Sequence, residues 1–212
     1  MSDLPAALLW DMDGLLVDSE PVWSIAETEL YASWGRVWTE EVKAACMGRR
    51  LDTAVPIMIE YAGVDADPAA VSAWLLDRMV QLFAAALPWR PGALELLAET
   101  AELGIPQALV SSSYRVLVDA VAAVSGPWAL TLAGDEVVRA KPDPEPYRTA
   151  AATLGVAPGE CLVLEDSLSG ARSGRDAGCA VIVVPSMAPV PADPGWTVLP
   201  SLTDVDLAAV RR

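Results

Sequence analysis

Four clusters of polar residues in this 212-residue chain follow predicted strands: Asp11 and Asp13, Ser111–Ser113, the loop around Lys141, and Glu165 with Asp166. They lie about 100, 30 and 24 residues apart. Asp11, Asp13, Glu165 and Asp166 supply four carboxylates. Two unit charges ~4 Å apart repel by about 4 kcal/mol at an effective dielectric near 20, so such a group calls for a cation. Oxygen donors without histidine or a thiolate pattern favour Mg2+. Lys141 and the serine hydroxyls are donors suited to a phosphoryl group. A carboxylate nucleophile, Mg2+, a lysine and hydroxyls together resemble aspartyl-phosphate chemistry.

The elements that must bring these residues together can be read from short apolar runs and their breakers. The run 6–10 ends at Asp11 and predicts a buried strand. Further strands are expected at 107–110, 129–132, 161–164 and 180–184, with a last one near 197–199. Helices are expected at 93–103, 114–124, 144–154, 168–177 and 203–210, several closed by glycine. Strand–helix alternation predicts a Rossmann-like three-layer α/β fold around a parallel sheet with right-handed crossovers. In such a sheet the C-terminal strand ends share one edge, where ligands bind. The stretch 15–88 breaks the alternation. Helices are expected from near Pro21 to about Trp34, then at 39–46, 52–61 and 68–87, with Asp18 or Ser19 capping the first. This stretch reads as a helical module inserted into a core made of 1–14 and 89–212.

Composition excludes several chemistries. There is no histidine, so Ser-His-Asp and Cys-His sites, phosphohistidine, His-ligated zinc or haem and an imidazole base are all excluded. A formal charge of -15 disfavours nucleic acid and anionic membranes as partners. Three cysteines without a CxxC pattern suit reduced thiols in a cytoplasm. The first residues do not read as a signal peptide, and no apolar run is long enough to span a bilayer. With 53% hydrophobic residues a sizeable core is expected.

Four stretches together make the sequence similar to the haloacid dehalogenase superfamily of phosphohydrolases: LLWDMDGLLVDSEP, ALVSSS, GDEVVRAKPDPEPY and LVLEDSLSGARSGRDAG. The resemblance runs in order over nearly the whole chain. It implies that Asp11 attacks phosphorus and that Asp13 protonates the leaving oxygen and then activates water. Mg2+ would be held by the Asp11 carboxylate, the Asp13 carbonyl and Asp166, with Glu165 beside it or ligating through water. Ser111 and Lys141 would hold the transferring phosphoryl group, with Ser112 helping through its N–H. Gly14, Ser112, Ser113, Trp23, Arg49 and Arg50 are expected as substrate-binding residues. The insertion would be a cap that closes over the site and excludes water.

Departures from related branches narrow the subclass. Dehalogenases lack the second aspartate. The position of the phosphonatases' Schiff-base lysine matches Leu51, and that of the β-phosphoglucomutases' cap histidine matches Trp23. The stretches MGRRLD and DGLLVDSEPVW are most like the sugar- and hexitol-phosphate phosphatases. The resemblance therefore implies a Mg2+-dependent, monomeric, cytoplasmic phosphatase of a small phosphorylated metabolite. Its rivals are a hexose-phosphate mutase and a non-catalytic phosphometabolite-binding protein. Plainer readings stand beside each site residue. Ser111–Ser113 could cap the next helix and Glu165–Asp166 could sit at a helix N-terminus. Lys141 could be solvated, although only two lysines stand against twelve arginines. Trp23 could be packing, and Arg49 and Arg50 could face solvent.

Overall fold

The computed structural model describes residues 4–207. It divides into two compact units, Met1–Asp18 with Leu87–Arg212, and Ser19–Ala86.

The first unit is an α/β core. Its strands are β1 (Ala7–Trp10), β2 (Gln107–Val110), β3 (Leu130–Leu132), β4 (Cys161–Glu165), β5 (Ala180–Val183) and β6 (Thr197–Val198). All pair in parallel in the order β3-β2-β1-β4-β5-β6. β1, β2 and β4 are buried along their whole length, which explains why they read as short apolar runs rather than alternating ones. The chain winds outward from β1 to β3, then returns to β4 on the other side of β1. That reversal places a crevice beyond the C-terminal ends of β1 and β4.

The core helices are α5 (Ala93–Glu102), α6 (Arg115–Ala122), α7 (Glu145–Leu154) and α8 (Leu168–Ala177), numbered after the four helices of the second unit. On one face of the sheet, Ala7, Leu9, Val163 and Val181 pack with Tyr147, Ala150 and Ala151 of α7 and Ala171 and Ala177 of α8. Right-handed crossovers put α5 and α6 on the other face, which makes three layers.

The second unit is helical: α1 (Glu20–Ser33), α2 (Glu40–Cys46), α3 (Leu51–Ala62) and α4 (Pro68–Ala85). Its packing centre is Tyr31, which is buried, donates from its hydroxyl to the Met58 carbonyl at 2.7 Å and meets the Trp38 ring edge-on at 4.8 Å. Arg78 of α4 forks onto Glu29 of α1 at 2.5 and 2.8 Å.

Three expectations are corrected. Leu15, Leu16 and Val17 stand at the expected start of the insertion, yet they are buried in the first unit. Val17 bridges both Asp13 and Trp89, and the Asp18 N–H donates to the Pro88 carbonyl, so the two chain crossings are zipped together beyond residue 14. The serines do not cap as expected. Ser19 occupies the N-cap of α1 without a side-chain cap bond, and Tyr114, not a serine, occupies that of α6. The Ser113 N–H instead donates to Ser111 Oγ, and the Arg115 N–H is taken by Asp135. The helix expected over 203–210 is a 3-10 turn at Leu202–Asp204, and residues 208–210 lie outside the described residues.

Candidate active site

Each polar cluster sits where the strand order puts it. Asp11 follows β1 directly and continues the ladder through its N–H to the Leu164 carbonyl of β4, at 2.9 Å. This fixes its backbone between the two central strands. Gly14 then turns the chain at φ +86°. A Cβ there would lie 2.2 Å from Asp166 Oδ2 and 2.6 Å from Ser186 Oγ, so the glycine is needed for close approach as well as for the turn.

Lys141 is the hub. Its Nζ donates to Asp11 Oδ1 and Glu165 Oε1, both at 2.6 Å, and to the Val110 carbonyl at the end of β2 at 2.9 Å. An ammonium has three N–H donors, and all three are used. Its side chain is only 5% exposed, so the solvated-loop reading does not hold. Arginine, a planar fork, could not meet three acceptors in this arrangement.

Around that hub, Asp13 Oδ2 accepts from Ser111 Oγ at 3.1 Å and from Ser113 Oγ at 2.8 Å. The serine cluster after β2 thus orients Asp13. Glu165, at the end of β4, is fully buried. Its Oε1 takes Lys141 and the Tyr147 hydroxyl, at 2.6 Å. Its Oε2 takes the N–H groups of Asp166 and Ser167 and the Ser167 hydroxyl, at 3.1–3.4 Å. Ser167 also caps α8 through the Gly170 N–H. Asp166 is held by Ser186 Oγ at 2.5 Å.

Among the described residues, the only buried acids are Asp11 and Glu165, and both belong to this site. Burial, then the charge of Glu165, raises the Asp11 carboxyl well above its ordinary range. Lys141 opposes the rise without cancelling it, and Asp166 and Asp13 add to it. Burial and Glu165 also raise Asp166, to about 6, against the hydrogen bond from Ser186. Lys141 is raised too. Burial acts to lower it, and Asp11 and Glu165 outweigh that effect. Burial is the largest cause for both carboxyls, and the crowding of acids around one ammonium adds to it. Four carboxylates and one lysine leave a formal excess of three negative charges.

That excess tests whether a divalent cation fits. Carboxylate oxygens of Asp11, Glu165 and Asp166 lie within 4.8 Å of one another. The donors are all oxygens, which suits Mg2+. Since both oxygens of Glu165 are already hydrogen-bonded, Asp11 and Asp166 are the carboxylates best placed to ligate.

Asp11, Asp13, Gly14, Ser111, Ser113, Lys141, Glu165 and Asp166 are joined by the contacts above. Ser112 lies beside them, exposed, its carbonyl against Gly134, where a Cβ would come within 2.1 Å of it. Trp23, Arg49 and Arg50 belong to the helical unit. Trp23 is half-buried on α1, Arg49 donates to the Ala45 carbonyl at 2.8 Å, and Arg50 pairs with Asp52 at 3.5 Å.

Two participants were not anticipated. Ser186 follows β5, so the rule that found the other clusters, a polar residue just past a strand, also points to it. Tyr147 lies on α7 and carried no such signal. Its hydroxyl reaches Glu165, and its ring lies 4.9 Å from Lys141 Nζ.

Residues 5–178 match the profile of haloacid dehalogenase-like hydrolases. Hexitol phosphatase A of Escherichia coli is 34% identical over 205 residues, covering 94% of this chain and 88% of that protein. A phosphorylated carbohydrates phosphatase of Thermotoga maritima is 29% identical over 175 residues, 81% of each chain. The crystal structure of CbbY from Rhodobacter sphaeroides in complex with phosphate superposes with a TM-score of 0.81, at 26% identity, over 95% of this chain and 96% of that one. The matched span includes all four clusters, and the chain belongs to the haloacid dehalogenase-like hydrolase family.

Proposed function

We propose that this enzyme is a Mg2+-dependent phosphatase of a small phosphorylated metabolite, a sugar or hexitol phosphate, acting through an aspartyl phosphate on Asp11. The observation that carries this reading is the pairing of two aspartates two residues apart in different settings. Asp11 is buried against Lys141, and Asp13 is held by two serine hydroxyls. The first suits a positioned nucleophile and the second a proton carrier. The names of the relatives support the substrate class.

Lys141 holds one oxygen of Asp11 and leaves the other to attack phosphorus. As the bond from phosphorus to the leaving oxygen breaks, Asp13 gives that oxygen a proton. The Asp13 carboxylate then takes a proton from water, whose oxygen attacks phosphorus and releases Asp11 and phosphate. Lys141 contributes positive charge beside the transferring group, and the Ser111 hydroxyl would turn to that group from Asp13. Mg2+, held by Asp11 and Asp166, with Glu165 beside them, would supply charge neutralisation and polarise phosphoryl oxygens. We assign the choice among leaving groups to the helical unit, with Trp23, Arg49 and Arg50 as candidates. An Arg50→Ala change is then expected to raise KM more than it lowers kcat.

A panel of hexitol and aldose phosphates, read as released phosphate with Mg2+ and with EDTA, tests the proposal. Metal-dependent release from at least one member is expected. Glucose 6-phosphate accumulating from β-glucose 1-phosphate would favour a mutase instead, and tight binding of substrates with no phosphate release would favour a binding protein.

A further inference from the structure

Outside the catalytic edge, two nucleophilic side chains come together at the opposite end of the sheet. Cys161 opens β4, and Cys179 immediately precedes β5. These strands pair in parallel with Leu162 opposite Ala180, so the cysteines stand one step before that pair, in register. Side chains alternate between the two faces of a strand. Cys161 with Val163, and Cys179 with Val181 and Val183, all lie in the same buried cluster and so on the same face. Neighbouring strands are about 4.8 Å apart, and the Cα atoms of disulfides are typically about 4.4–6.8 Å apart, so the backbone separation suits a bridge.

We propose that Cys161 and Cys179 are a redox modification site, closed by hydrogen peroxide into a reversible disulfide across β4 and β5.

The thiols already interact. Cys179 S–H donates to Cys161, and Cys161 S–H donates to the Ala157 carbonyl at 3.6 Å. The first of these bonds lowers the Cys161 thiol against the effect of burial, and it raises that of Cys179 together with burial. Cys161 is therefore the attacking sulfur and Cys179 the resolving one. The Cys161 thiolate attacks one peroxide oxygen, the O–O bond breaks, and the departing oxygen leaves as water after taking a proton, giving a sulfenic acid. Cys179 sulfur then attacks the sulfenic sulfur, the S–O bond breaks, and the hydroxyl leaves as water with the Cys179 proton. Two thiols lose two electrons in total, and one peroxide becomes two waters. The remaining cysteine, Cys46, lies in the helical unit. Its thiol is turned to the Ala54 carbonyl, and burial raises it to about 11.

The bridge would tie the two ends of the segment that carries Glu165, Asp166 and α8, at the edge away from Asp11. It would add a reversible bridge to cysteines whose pattern suits reduced thiols.

The test treats the folded enzyme with hydrogen peroxide, quenches it, and titrates thiols in denaturant alongside intact-mass and peptide analysis. The expected result is a fall from three thiols to one, a mass loss of about 2 Da, a cross-linked peptide pair containing Cys161 and Cys179, and full return with dithiothreitol. Cys46→Ser should fall from two thiols to none, and Cys179→Ser should form no intramolecular bridge. Three surviving thiols, oxygen adducts in place of the bridge, or a bridge that includes Cys46 would overturn the proposal. The wild-type result stands whether or not the variants fold.

Discussion

Replacing Lys141 with methionine removes the charge and keeps much of the aliphatic stem. The ammonium makes three hydrogen bonds at 2.6, 2.6 and 2.9 Å and is almost wholly buried. Its loss leaves Asp11 and Glu165 facing each other without a cation and leaves the Val110 carbonyl without its donor. Breaking a buried ion pair from one side costs about 3–5 kcal/mol. At roughly 2–4 °C per kcal/mol for a chain of this size, Tm should fall by about 6–20 °C. The loss should depend on pH. The folded Asp11 carboxyl is already raised, so it favours the folded state at pH below its ordinary range, and that contribution disappears as pH rises through the raised value. Without Lys141 the folded value rises further. The difference between wild type and Lys141→Met should therefore be small near pH 4.5 and full at pH 8. Urea unfolding at both pH values, with EDTA present, reads it directly. A difference below about 1 kcal/mol at pH 8, or one that does not change with pH, would refute the reasoning, because it would mean that Lys141 is not compensating buried charge.

Tyr147→Phe keeps the ring beside Lys141 and deletes a 2.6 Å hydrogen bond to a carboxylate, so a stability loss of about 1.5–3 kcal/mol is expected by urea unfolding. Unchanged unfolding would remove Tyr147 from the network. Gly170→Ala puts a Cβ 1.8 Å from the Glu165 carboxyl group, so it should destabilise by about 1–3 kcal/mol despite alanine's higher helix propensity. A stabilised variant would contradict the packing of Glu165 on α8. Glu27, on α1, is raised from 4.5 to about 8 by burial and then by Glu20, against Lys43. Its stabilising contribution is present below about 4.5 and lost as pH rises through about 8. Glu27→Gln should thus flatten the stability profile between pH 5 and 9 and gain about 1–2 kcal/mol at pH 9, allowing for partial exposure. Parallel profiles would contradict it.

The parallel core was legible because its strands are short apolar runs bounded by Gly, Pro or acidic residues, and a strand buried on both faces has no alternation to mislead the reader. The same logic exposed the site, since polar residues just past a parallel strand must gather at one edge. It worked for Asp11, Asp13, Ser111 and Glu165, and Ser186 follows from it as well. Tyr147 escaped because a helical residue reaches the site only through the way α7 packs on the sheet, and that orientation is a tertiary fact. Leu15–Val17 misled for a related reason. Three apolar residues after a turn can begin a helix or complete a core, and the bridge that ties Val17 to Trp89 spans more than 70 residues. The serines after β2 have the composition of a helix cap, yet Ser111 and Ser113 spend their hydroxyls on Asp13. Among the described residues the tail holds one 3-10 turn, Leu202–Asp204, opened by Ser201, whose hydroxyl accepts from the Thr203 N–H.

The central claim is that Asp11 carries the phosphoryl group. Turnover of an accepted sugar or hexitol phosphate with Mg2+, quenched in acid during the steady state and treated with borohydride, converts an aspartyl phosphate to homoserine, which peptide mass spectrometry locates. Conversion at position 11 in the wild type, with neither conversion nor phosphate release in Asp11→Asn, is the result expected. Phosphate release by Asp11→Asn at the wild-type rate, or conversion at a residue other than 11, would contradict the account.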